Sequence, residues 1–187
     1  LLDRIFDNVD LYQFPEGGSG SASRPRNKGL ELAKTKYVTY LDPDNEQTND
    51  AYAKLLELME RDEPDFAIGN MVRFKGKRTL VNNSWALKKG IRSVGIEQVG
   101  DELFDLRANN AELLRQMNYQ PMSIQALVAN REWLSGLGLE QPVGAVGQDS
   151  YFFQQMLYYA RYIVVTPLPV HIYYAEVANS TVNAISP

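Results

Sequence analysis

The sequence predicts a layered α/β domain with largely parallel strand pairing, and three observations point that way. Between Val9 and Phe74 the apolar segments follow the order strand, loop, helix, strand, helix, strand. The segment closing the second strand, Asp42-Pro43-Asp44, stops ladder pairing abruptly where such a sheet presents its carboxyl edge. The chain has 187 residues, 44% hydrophobic and 22% charged, which suits one compact domain spanning 1–187.

Composition excludes several classes. Lys plus Arg total 19 and Asp plus Glu 23, a net charge of -4, so no basic excess marks a nucleic-acid binder and none is expected as a partner. The absence of cysteine removes disulfides, thiolate zinc sites and a Cys nucleophile, and makes the cytoplasm the default location. No run approaches the roughly 18 apolar residues of a membrane span. Leu1-Leu2-Asp3-Arg4 resembles neither a signal peptide nor a chain start, so the sequence reads as beginning within a protein.

Each element has its reason. Val9 to Gln13 alternates apolar and polar and reads as a strand; the glycine- and serine-rich 16–23 that follows is a loop. Ser23 is placed as the N-cap of a helix with Pro25 in its first turn and Leu30, Leu32 and Ala33 on its buried side. Tyr37 to Leu41, rich in β-branched and aromatic residues, is the next strand. Asn49 or Asp50 caps a helix in which Tyr52, Leu55, Leu56 and Met59 recur at helical spacing. Asp65 to Phe74 is a strand. Signals are mixed from Lys75 to Gly100; beyond it come a helix at 111–117, a strand-to-helix passage from Ile124 through Trp133, a helix over 149–160 and a strand at 170–174.

The most informative feature is the strand delivering Asp42 and Asp44 to the sheet edge. Two carboxylates so spaced can share a hard divalent cation that keeps positions open for phosphate oxygens. With eleven aspartates in the chain the pattern arises easily by chance, and taken by itself it is better explained as a proline-containing turn. A calcium loop is excluded, because Gln47 stands where glycine is needed and Ala53 where a bidentate Glu belongs. The loop 17–23 can bring backbone N–H groups to a phosphate, aided by Arg24, Arg26 and Lys28, or serve as a flexible linker.

Gly18-Ser19, Arg26-Asn27-Lys28-Gly29-Leu30, Ala33, Lys36-Tyr37-Val38 and Leu41-Asp42-Pro43-Asp44 follow one another in an order that resembles the inverting family-two glycosyltransferases of GT-A fold. The resemblance extends to Gly147-Gln148-Asp149-Ser150, similar to the family's Glu-Asp segment opening a helix, and loosely to Tyr173-Tyr174 and Asn179-Ser180-Thr181. It implies a GT-A sheet, with 1–74 as the sugar-nucleotide and metal part and 75–187 as the acceptor side. It implies that Arg26, Asn27, Gly29, Asp42 and Asp44 bind the donor, a nucleotide-diphosphate sugar such as a UDP-sugar. Asp42 and Asp44 would hold Mn²⁺ or Mg²⁺, and Asp149 would be the base that deprotonates a hydroxyl on a glycan or lipid-linked acceptor. Bacterial cell-envelope polysaccharide synthesis is the associated biology. Gln148 stands where the family has Glu, which bears on acceptor preference. The family's first strand-helix-strand portion has no counterpart before Leu1, so the chain resembles a GT-A domain lacking it, and the piece alone is expected to bind a UDP-sugar feebly.

The remaining residues carry alternatives. Asp149 suits a helix cap as well as a base. His171, the only histidine, is a third metal ligand by resemblance or a strand residue without catalytic role. Trp133 is an acceptor-stacking platform or core. Seven cations and no anion lie between Arg73 and Arg92, a solvated face or an attractor of an anionic acceptor or of the inner membrane surface. Two other readings stand beside transfer. In one, Asp42-x-Asp44 serves a haloacid-dehalogenase-like phosphatase, against which Glu46 stands where Thr or Val is wanted; in the other, the chain is a non-catalytic saccharide-binding domain.

Overall fold

The computed structural model of the chain describes residues 8–15, 21–48 and 50–175. Helix α1 (Ser23–Leu32) is followed by β1 (Tyr37–Val38), β2 (Glu46–Gln47), α2 (Ala51–Asp62), β3 (Phe66–Lys75) and β4 (Lys77–Val81). Then come α3 (Asn83–Ser93), β5 (Glu97–Gln98), β6 (Leu103–Asp105), α4 (Asn110–Gln116), a 3₁₀ turn (Ile124–Ala126) and β7 (Leu127–Asn130). Helices α5 (Arg131–Gly136) and α6 (Gln148–Tyr159) precede the long β8 (Tyr162–Tyr174).

Among the described residues the strands form one eight-stranded sheet in the order β1-β7-β3-β8-β6-β5, with β4 beside the far half of β3 and β2 beside that of β8. The α/β class is as expected, but the pairing is not largely parallel: β3 and β8 form the one parallel pair and every other described pair is antiparallel. The reason lies in β7. β1 and β3 run in the same direction, as a crossover through α2 requires, but β7 inserts between them antiparallel to both.

Helices cover both faces. On one, α2 packs Leu55 and Met59 against Ala67, Val128, Val164 and Val170. On the other, α3, α4, α5 and α6 bury Leu87, Ile91, Leu113, Leu134, Phe152, Phe153 and Met156 against Phe66, Ile68, Ile163 and Val165. The core is thus two apolar layers divided by the β3–β8 seam. Asp65 sews the strand starts together: its buried carboxylate accepts from the Arg161 and Tyr162 backbone N–H groups at 2.6 and 3.2 Å and from Arg161 Nη2 at 2.8 Å.

Several local expectations change. Val9 to Gln13 forms no strand; Tyr12 and Phe14 meet edge-on at 5.0 Å and lie under Lys28 and Arg24 of α1, so their alternation serves contact with that helix. Ala22, not Ser23, occupies the N-cap of α1, because the Ser23 hydroxyl donates instead to the Pro142 carbonyl at 2.9 Å. Gly18, Ser19, Asn49 and the 179–181 segment fall outside the described residues. Strand β8 begins well before Val170: Pro167 and Pro169 sit at register shifts against β3, so the ladder accommodates prolines that argue against a strand in the sequence.

Candidate active site

The site is built around Asp42, where the chain leaves β1. The Asp42 N–H donates to Gln125 Oε1 at 2.8 Å while Gln125 Nε2 donates to Asp42 Oδ2 at 3.0 Å, so one amide grips both backbone and side chain. Asn45 Nδ2 donates to the same Gln125 oxygen at 3.0 Å. From α1, Arg26 closes the other side: Nη2 lies 2.6 Å from Oδ2 and 2.8 Å from Oδ1, and Nε lies 3.2 Å from Oδ1. Arg26 is only 9% exposed, so this charge-assisted fork is far less screened than a surface pair. Both Asp42 oxygens are therefore engaged. Asp44, two residues on, is exposed, and no described residue pairs with it.

Arg26 also reaches the opposite part of the chain. Its Nη1 donates to Gln141 Oε1 at 3.2 Å, and Asn27 beside it exchanges two bonds with the Gln141 backbone, accepting from N–H at 2.9 Å and donating to the carbonyl at 3.0 Å. Burial pushes the nearby Tyr40 phenol up to about 12, which keeps it neutral beside Arg26 and Gln141. Gly29 lies further along α1; a Cβ there meets nothing within 4 Å, and its face borders a cavity of about 670 Å³ between α1 and residues 8–14.

Gln141 opens the loop that leads to Asp149. Gly144 and Gly147 take φ of 79° and 74°, and Val146 between them is 80% exposed. Gly147 is the N-cap of α6, so Asp149 is not a cap: it sits half-buried in the first turn, where an anion is favoured, and its Oδ1 accepts from the Ser150 N–H at 2.9 Å. Gln148 lies half-buried ahead of it. Trp133, half-buried, packs against Phe66 at 6.0 Å between centroids and joins the core on the α6 side.

His171, on β8 opposite Gln47 of β2, is fully buried, and neither ring nitrogen has a hydrogen-bond partner among the described residues. Desolvation pulls it from 6.5 to about 4, against the pull of the nearby Asp42 charge. The imidazole is thus neutral at physiological pH with a lone pair available. Leaving such groups unpaired costs roughly 1–3 kcal/mol, which points to an incoming partner. Among the described residues no group of three or more His, Asp or Glu side chains stands ready to hold a metal ion. The donor types nevertheless fit one: Asp44 offers free carboxylate oxygens and His171 an unused nitrogen, and a hard cation takes its remaining ligands from phosphate and water.

A family model described as glycosyl transferase family 2 matches residues 5–118, which takes in α1 with Arg26, the Asp42-Pro43-Asp44 segment and the central strand β3. The chain belongs to glycosyl transferase family 2. No curated protein matches it in sequence. Among solved structures, S. aureus TarS residues 1–349 in complex with UDP-GlcNAc is similar, with a TM-score of 0.65 at 16% identity over 95% of this chain and 46% of that one. Two further structures of the same TarS portion, the second in complex with UDP, give TM-scores of 0.59 each at 16% identity, covering 85% and 86% of this chain and 42% of theirs. This member of glycosyl transferase family 2 therefore shares the GT-A fold of TarS while spanning less than half of its length.

Gln125 and Gln141, which complete the clamp, carry no motif and were not among the residues singled out by the sequence. One signal existed: each is a polar residue that the fold buries, and Gln125 lies in the otherwise apolar run Ile124 to Ala129.

Proposed function

We propose that the chain carries part of an inverting glycosyltransferase that moves a sugar from a nucleotide-diphosphate donor, a UDP-sugar, to a hydroxyl of a glycan or lipid-linked saccharide. The observation that carries this reading is the division of labour in the acidic pair: Asp42 is locked by Arg26 and Gln125, whereas Asp44 stands open to a ligand. The complexes of TarS with UDP-GlcNAc and with UDP, proteins of the same fold, support a nucleotide sugar as donor.

In this reading residues up to Phe74 serve the donor and those beyond it the acceptor. Arg26 and Asn27 act by fixing Asp42 and Gln141 rather than by direct contact, and Gly29 leaves α1 open toward the donor. Mn²⁺ or Mg²⁺ would be held by Asp44 with His171, while Asp42, its oxygens held by Arg26 and Gln125, would add negative charge beside the ion without ligating it; when bound, the ion would supply positive charge beneath the departing diphosphate. Asp149 takes the proton of the acceptor hydroxyl as that oxygen attacks the anomeric carbon from the face opposite the leaving group, which inverts the centre.

A phosphatase reading asks Asp42 to attack phosphorus with a free oxygen, and both oxygens are held by Arg26 and Gln125. In the complete enzyme, Asp44→Ala abolishes Mn²⁺-dependent binding of the UDP-sugar by calorimetry, whereas Asp149→Asn binds donor normally and loses transfer by about a thousandfold or more. Normal turnover by Asp149→Asn would remove the base from the mechanism.

A further inference from the structure

The basic stretch between Arg73 and Arg92 is not used by the proposed mechanism. The fold divides it between the β3–β4 hairpin and α3, and on α3 it meets an exposed aromatic. Trp85 is 62% exposed, the more exposed of the chain's two tryptophans, and the Lys89 ammonium lies 5.1 Å from its ring centroid. Lys88 and Arg92, three and seven residues on, follow at helical spacing. With Asn82 and Pro167 they line a depression of about 420 Å³, within the size range of pockets that take small ligands. Among the described residues Lys88 is the one of the three cations with an ion-pair partner, Glu102 at 4.0 Å.

We propose that this depression is a saccharide-binding subsite for a sugar that bears an oxyanion, a phosphate or a carboxylate. The chemistry of the walls selects that class. An indole left to solvent offers an apolar plane to the C–H face of a sugar ring, and three cations on its rim answer an anionic substituent. These cations stand out against a chain of net charge -4, so the attraction is local rather than a property of the whole surface. A concave site walled by one side of an indole matches a ring better than a flat bilayer. The subsite does not depend on the transfer reading, because its test is binding alone.

Trp85 is its own reporter. Titration of the full chain with phosphorylated maltoheptaose at low salt should shift and quench its tryptophan emission, and neutral maltoheptaose should bind about tenfold more weakly. Trp85→Phe should remove the spectral response. The double variant Lys88→Gln/Arg92→Gln keeps the indole and should weaken binding about tenfold without lowering the thermal midpoint, since these side chains are not part of the core. Glucuronate-bearing oligosaccharide in place of the phosphorylated one separates the two oxyanions, and a response to either upholds the proposal. Three results would overturn it: no emission change with either anionic sugar, inorganic phosphate binding as tightly as the saccharide, or a response only to vesicles containing phosphatidylglycerol, which would make the patch a membrane face.

Discussion

Gln125 shows how much one neutral side chain can organise. Its amide satisfies the Asp42 N–H, an Asp42 carboxylate oxygen and Asn45, and its backbone carbonyl accepts from the Tyr52 hydroxyl at 2.7 Å. Gln125→Leu keeps the volume and the backbone carbonyl but takes this partner from the Asp42 N–H and the Asn45 amide and leaves the Asp42 carboxylate to Arg26 alone, at a cost of roughly 1–3 kcal/mol. In the complete enzyme this change should weaken Mn²⁺-dependent UDP binding about tenfold, and Gln125→Glu should weaken it further, because a second carboxylate then faces Asp42. Equal binding by all three proteins in a calorimeter would show that Asp42 needs no such support. The sequence singled out Asp42 and Asp44 through their place after a strand, and Arg26 through its motif neighbours. It could not disclose that Arg26 pairs with Asp42, since nothing in a cation's type tells whether it faces a ligand or a carboxylate sixteen positions away.

Among the elements, β3 and β8 carry the molecule, and their seam is tightest at Gly69. A Cβ at that position would run into the Leu168 carbonyl oxygen and Val170 Cγ2, where β8 bulges around its prolines. Gly69→Ala should therefore destabilise by about 1–3 kcal/mol, with the strand forced to move against fixed backbone. Chemical denaturation reads this directly, and an unchanged midpoint would mean that the bulge yields freely. Elements with a strong period were legible: α2, the apolar part of β3, α6 and the passage through β7 into α5 all lie close to where their patterns put them. Two-residue strands such as β2 and β5 were not, because ladders that short are made by the partner strand and not by their own composition. Parallel pairing was over-read for a related reason. The β1–α2–β3 crossover fixes direction, and only packing decides that β7 enters between the two strands.

For the molecule as a whole, the buried imidazole ties stability to acidity. His171 titrates near 4 when folded and near 6.5 when unfolded, so the unfolded chain holds more protons between those values. Stability from this group is complete above about pH 6.5 and declines as pH falls toward 4, by a sum on the order of 3 kcal/mol. With chelator present, the unfolding midpoint should drop across that window more steeply for the native chain than for His171→Leu. Parallel curves would place the pH dependence in the carboxylates instead. The same seam that houses this histidine has a kinetic meaning. Strand β3 and its parallel partner β8 are joined only after some hundred intervening residues have been laid down, so the middle of the sheet must wait for almost everything else. During synthesis at roughly 5–20 residues per second, the apolar flank of β3 stays uncovered for several seconds, a window in which chaperone capture competes with native closure.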